Sequence, residues 1–168
     1  MRLVCTLLSL FFATTGGYAQ SGVDELKELI KEVDSDTTLS VTVLDAVEVY
    51  DVALDGGGAI TIYHENGVIR KVVRSLGVSY GRIVLTMYPQ DGAPGVAVET
   101  EENYVWDEGD SGWDYSELAL MYRKVSFIPN DTRPYVEEWG ERRLSTPLAL
   151  NDYTRLLDLA GRYISGKE

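Results

Sequence analysis

The chain is 168 residues long and carries 27 acidic against 15 basic side chains, with one histidine and one cysteine. That length fills one core well and not two. A net charge of −12 repels phosphate backbones and anionic membranes, so no nucleic acid is expected as a partner. The same charge attracts a basic protein or a divalent cation, and it also serves solubility alone.

The first residues, "MRLVCTLLSLFFATTGGYA", have Arg2 at a positive end, an apolar run over 3–13 and small residues before Ala19. This is the pattern of a secretory signal cut after Ala19. A membrane-crossing helix needs about 20 apolar residues, and this run has 11. The expectation is a signal peptide at 1–19 and one α+β domain at 20–168, periplasmic or secreted, with no membrane span after cleavage. Cys5 lies inside the signal, so the mature chain has no thiol. Disulfides, thiolate nucleophiles and cysteine metal ligands are excluded together. Loss of Arg2 leaves 14 basic against 27 acidic side chains, a net of −13.

"SGVDELKELIKEVDS" predicts an amphipathic helix capped by Ser21, with Val23, Leu26, Ile30 and Val33 along one face. "LSVTVLDAVEVYDVAL" is rich in β-branched residues and alternates at Val47 and Val49, which reads as one bent strand or two short ones. "DGGG" at 55–58 breaks it. "ITIYHENGVIRKVV" has strand character on both sides of Asn66-Gly67, a strong hairpin signal because both central residues of a type I′ turn need positive φ. "LTMYPQDGAPGVAV" repeats the arrangement, Ile60-Thr61-Ile62-Tyr63 matching Leu85-Thr86-Met87-Tyr88 and Asn66-Gly67 matching Asp91-Gly92. "SLGVSYG" at 75–81 reads as the connection. A third pair runs from "ELALMYRKVSFI" through "PNDTRP" to "YVEEWGERR". Thr146 and Pro147 start a last helix whose apolar side is Leu148, Tyr153, Leu156, Leu157, Ala160 and Ile164, stopped at Gly166. The fold class expected is α+β: an antiparallel meander of roughly six to eight strands with an N-terminal and a C-terminal helix covering one sheet face.

The stretches "GGGAITIYHENGVIRKVV" and "GVSYGRIVLTMY…DG…VAVETEENY" resemble a group of small exported proteins of Gram-negative bacteria. These join a signal peptide and a short helix to hairpins of the type Gly-Gly, alternating strand, Tyr, Asn/Asp-Gly. The likeness spans 45–104 and implies an antiparallel sheet and an extracytoplasmic location. It implies no activity and no catalytic residue. "FIPNDTRPYVEEW" departs from the pattern in lacking an Asn/Asp-Gly turn.

Two places invite chemistry. His64, beside Glu65, is the only imidazole, the side chain most often used for acid–base chemistry. It falls at an expected hairpin tip facing solvent and reads as an ordinary turn residue, with no nucleophile elbow to serve. Zinc is unsupported, since its sites draw several ligands from His and Cys. No catalytic residue and no cofactor are expected.

The second place is "YVWDEGDSGWDYSE" at 104–117. Starting an EF-hand register at Asp107 puts Gly112 correctly sixth, but Leu118 falls where the bidentate Glu belongs. Asp107, Asp110 and Asp114 remain candidates for a looser, weak calcium site. Tyr104, Trp106, Trp113, Tyr115 and Glu117 form the candidate ligand-binding set: ring faces cover the C–H groups of a sugar while carboxylates accept from its hydroxyls. The composition reads first as a solvated surface loop, second as a recognition surface and third as a cation loop. The expected function is that of an exported, non-catalytic binding protein whose partner is an extracytoplasmic protein or a glycan. A carbohydrate-binding module and an acidic inhibitor of a basic secreted hydrolase are the specific alternatives.

Overall fold

The computed structural model describes residues 16–51, 53–109, 111–128, 134–143, 148 and 150–166, with backbone alone at 16–21. Most of the expected signal, Asp110, Thr146 and Pro147 lie outside them. No helix among the described residues is long and apolar enough to cross a membrane.

In chain order the elements are α1 (Gly16–Ser35), β1 (Ser40–Asp45), α2 (Ala46–Tyr50), β2 (Gly58–Glu65), β3 (Val68–Val78), β4 (Gly81–Gln90), β5 (Ala93–Asp107), β6 (Gly112–Phe127), β7 (Tyr135–Gly140) and α3 (Leu150–Ser165). The seven strands form one antiparallel sheet in the order β1-β2-β3-β4-β5-β6-β7, so the expected α+β meander with a helix at each end is present. Asn66-Gly67 (φ 49° and 80°) and Asp91-Gly92 (φ 52° and 79°) turn the β2–β3 and β4–β5 hairpins. Both pairs have the positive φ that a type I′ turn demands.

Side chains alternate across a strand, and residues directly opposite share a face. The register Ile62↔Val72↔Met87↔Ala97 therefore defines one face. The register Tyr63↔Lys71, then Tyr88↔Val96↔Phe127, belongs to the other. Ile60, Ile62, Val72, Leu85, Met87 and Ala97 pack against Tyr153, Leu156, Leu157 and Ala160 of α3. Tyr88, Val96, Val125 and Phe127 pack against Val23, Leu26 and Val33 of α1. The helices thus lie on opposite faces and not on one as expected. The reason is parity: each strand alternates two apolar sets, Ile60/Ile62 against Tyr63 or Met87 against Tyr88, and each set needs its own cover.

Tyr88 donates from its hydroxyl to both carboxylate oxygens of Asp34 at 3.0 Å, and Lys71 pairs with Asp34 at 2.8 Å, fastening α1 to the sheet. Burial, then the bond to Asp34, drives the Tyr88 hydroxyl well above the ordinary tyrosine range.

Four expectations are corrected in detail. Helix α1 is already under way at Gly16, so Ser21 lies inside it and not at its N-terminus. Residues 46–50 are a short helix and not strand: Asp45 caps it by accepting the Val47 N–H at 2.7 Å, and Ala46, Val49 and Tyr50 all pack on the α3-side core. Burial at spacings of three and four overrode the β-branched composition. Strand β3 runs on through Val78, leaving only Ser79-Tyr80 as the connection to β4. His64 is half-buried at a register shift of β2, not a solvent-facing turn residue, with Nε2 3.4 Å from Thr42 Oγ1.

Candidate functional site

Strands β5 and β6 outrun their neighbours. The β4 pairing ends at Gly81↔Asn103 and the β7 pairing at Tyr122↔Gly140. Beyond Asn103 the hairpin continues as a two-stranded ribbon, and the four residues to Asp107 carry it about 13 Å at strand rise. The segment 104–117 therefore belongs mostly to a hairpin: β5 runs to Asp107 and β6 begins at Gly112.

Register places the rings. Trp106 lies directly opposite Trp113, their centroids 5.2 Å apart and their planes at 86°. Tyr104 meets Tyr115 at 5.0 Å and 63°. That second pair forms because the register jumps from Tyr104↔Leu118 to Val105↔Asp114, so that residues 115–117 bulge out of β6. Both contacts are edge-to-face, the arrangement that aromatic quadrupoles favour. Trp106 is 50% exposed, Trp113 47% and Tyr115 70%, so the pairs order the rings without hiding them.

The carboxylates do local work. Asp107 accepts from the Gly109 N–H at 2.7 Å. Asp114 accepts from the Ser116 hydroxyl at 2.6 Å and from its N–H at 2.7 Å. Those two bonds, hydroxyl first, hold the Asp114 carboxyl below the usual range. Both are side-chain turns of the kind Asp forms at bends. Among the described residues no group of three His, Cys, Asp or Glu side chains is arranged to hold a metal, and Asp110 lies outside them. Glu117 is exposed in the bulge. The structure thus brings the four rings together in two pairs, with Asp107, Asp114 and Glu117 around them.

Two features escaped the sequence reading. Residues 77–81 spell Gly-x-Ser-x-Gly. Ser79 sits in a two-residue turn between antiparallel strands, not at the strand-to-helix bend that makes a nucleophile. His64 pairs with Ile69 at the other end of β3, roughly 30 Å away at strand rise. The two cannot work together.

The second feature is a buried ionic cluster on the α3 face. Glu99 and Glu101 are 3% and 2% exposed. Glu99 accepts from Lys124 at 3.0 Å, from Arg142 at 2.9 Å and from the Tyr153 hydroxyl. Glu101 accepts from the Arg143 N–H at 3.1 Å. Burial, then the bond to Glu99, pushes the Tyr153 hydroxyl far up. Burial and Glu138 push that of Tyr122 up to about 12. With every Glu99 oxygen engaged by protein donors, the cluster ties α3 and residues 142–143 to β5.

The described fold is an open antiparallel meander with α1 on one face, α3 and the short α2 on the other, and an aromatic hairpin end. The chain matches no protein-family model, no curated protein and no solved structure.

Proposed function

We propose that this is an exported, non-catalytic binding protein that engages its partner through the projecting end of the β5–β6 hairpin. The observation that carries the proposal is the half-exposed Trp106–Trp113 pair with Tyr115 beside it. Rings of this size are ordinarily buried, and an exposed aromatic cluster on a rigid strand support is the composition of a binding anchor. The extracytoplasmic setting rests on Arg2, the apolar run at 3–13 and the small residues before Ala19.

A glycan fits the site through ring faces against its C–H groups and through the carboxylates at 107, 108, 114 and 117. The alternative is a basic extracytoplasmic protein, such as a secreted hydrolase held inhibited. The net charge of −13 without the signal favours that reading by steering such a partner toward the surface.

Intrinsic fluorescence tests both. The three tryptophans are at 106, 113 and 139, so Trp139→Phe leaves only the hairpin pair as reporter. Titration with soluble β-glucan fragments, muropeptides and a basic muramidase is expected to shift the emission of that variant for one class of probe. Replacing both hairpin tryptophans by Ala should weaken the binding, read by calorimetry, at least tenfold. Capture that persists at high salt identifies sugar stacking, and capture that collapses with salt identifies the basic protein. Undiminished affinity in the double-Ala variant overturns the hairpin as the site. Turnover of a glycan, abolished by Glu117→Gln, overturns the non-catalytic reading.

A further inference from the structure

A cavity of about 400 Å³ lies between α2, α3 and β3, lined by Tyr50, Arg74, Arg155, Leu156, Leu159 and Arg162 together with Asp152 and Asp158. It shares no residue with the hairpin end. Its three arginines stand out against the charge of the rest of the molecule. Acidic side chains outnumber basic ones by 27 to 15, and seven cations, Lys27, Lys31, Arg70, Lys71, Arg82, Lys124 and Arg142, sit within 4.0 Å of a carboxylate. Among the described residues five arginines have no such partner, and three of them, Arg74, Arg155 and Arg162, are gathered in this cavity, the others being Arg123 and Arg143.

Arg74 carries most of the weight. Its register row is Ile60↔Arg74↔Leu85, and both neighbours are fully buried under α3. An aliphatic residue would ordinarily fill that position. A half-buried guanidinium there costs desolvation that a carboxylate normally offsets. Arg155, Leu159 and Arg162 recur at helical spacing along α3, which turns one face of that helix toward the same cavity. With both aspartates ionised the lining still has a charge of +1.

We propose that this cavity is a binding site for a small organic oxyanion, a carboxylate or a phosphate, held by Arg74, Arg155 and Arg162. The planar guanidinium fork matches two oxygens of such a group at once. Tyr50, Leu156 and Leu159 supply an apolar wall for the remainder of the molecule. The volume lies within the range of small-molecule sites and exceeds what a bare inorganic ion fills. Asp152 and Asp158 select against large polyanions by repulsion.

The test is thermal unfolding of the purified protein with phenyl phosphate, benzoate and citrate, each against sodium chloride at matched ionic strength. One class of organic oxyanion is expected to raise the melting temperature saturably, by roughly 5–10 °C at a hundredfold excess over Kd. Phenyl phosphate against benzoate tells phosphate from carboxylate. Arg155→Gln with Arg162→Gln, both on exposed positions, should fold normally and lose the rise. Arg74→Met should lose it while holding or raising the melting temperature without ligand. A rise equalled by chloride, a rise retained in the Arg155/Arg162 variant, or no rise with any of the three anions overturns the site.

Discussion

The two ends of the β5–β6 hairpin use similar residues to opposite effect. At the inner end Val96, Phe127 and Val125 are covered by α1, while Glu99 and Glu101 are covered on the α3 side. At the outer end Trp106, Trp113 and Tyr115 have neither helix nor neighbouring strand over them among the described residues. Aromatic character alone therefore does not decide burial here. What decides it is whether the sheet still has strands on both sides at that register. The inner end is built for stability, and the outer end leaves large rings in water, which stability alone does not reward.

The largest test of that contrast is Glu99→Ala. It leaves Lys124 and Arg142, themselves mostly buried, without their carboxylate. It should lower unfolding free energy in urea by about 3–5 kcal/mol. A loss under about 1 kcal/mol would mean that the cluster is solvated. Next comes Tyr88→Phe, which removes both hydrogen bonds to Asp34 at a cost of about 2 kcal/mol. Its loss should appear as faster amide exchange in α1 before the sheet opens.

Alkali tests the inner end through its phenols. The Tyr122 hydroxyl is raised from 10.0 to about 12, and burial also raises Tyr88 and Tyr153. The folded state prefers their neutral forms. The contribution of Tyr122 is whole below about pH 10 and is lost as pH climbs through about 12, while those of Tyr88 and Tyr153 persist to still higher pH. Phenolate absorbance near 295 nm should rise in two stages, exposed tyrosines first and these three together with unfolding. A single smooth titration would show that none of them is protected.

The smallest stability effect belongs to the outer end. Replacing Trp106 and Trp113 together by Ala removes one edge-to-face pair and should cost about 1 kcal/mol. A loss above about 3 kcal/mol would make the ribbon part of the core and remove the reason to regard it as a binding surface.

Much of the sheet was legible because its turns are chemically explicit. Asn66-Gly67 and Asp91-Gly92 demand positive φ, and the matched Ile-Thr-Ile-Tyr and Leu-Thr-Met-Tyr segments fall into equivalent registers. The apolar sides of α1 and α3 were equally plain from helical spacing. What stayed hidden depends on distant partners. Residues 46–50 look like strand until the α3-side core claims Ala46, Val49 and Tyr50. Glu99 and Glu101 look solvent-facing beside Thr100 until Arg142, Arg143 and Tyr153 arrive from far along the chain. The rings of 104–117 were identified by composition, whereas their pairing needed a register jump that no local pattern announces. Arg74 was invisible for the same reason: nothing in "IRKVVRS" marks which arginine lies under α3.

The order of the strands in the sheet is their order in the chain. The β2–β3, β3–β4 and β4–β5 connections are two residues each, and the β5–β6 connection is four. Each of these four ladders can therefore form as soon as its second strand is available, with little loop entropy to overcome. A chain fed through a narrow channel from its N-terminus would add one strand at a time to a growing edge. It would wait only for α3, the last element, to close the face that the hairpins had already built.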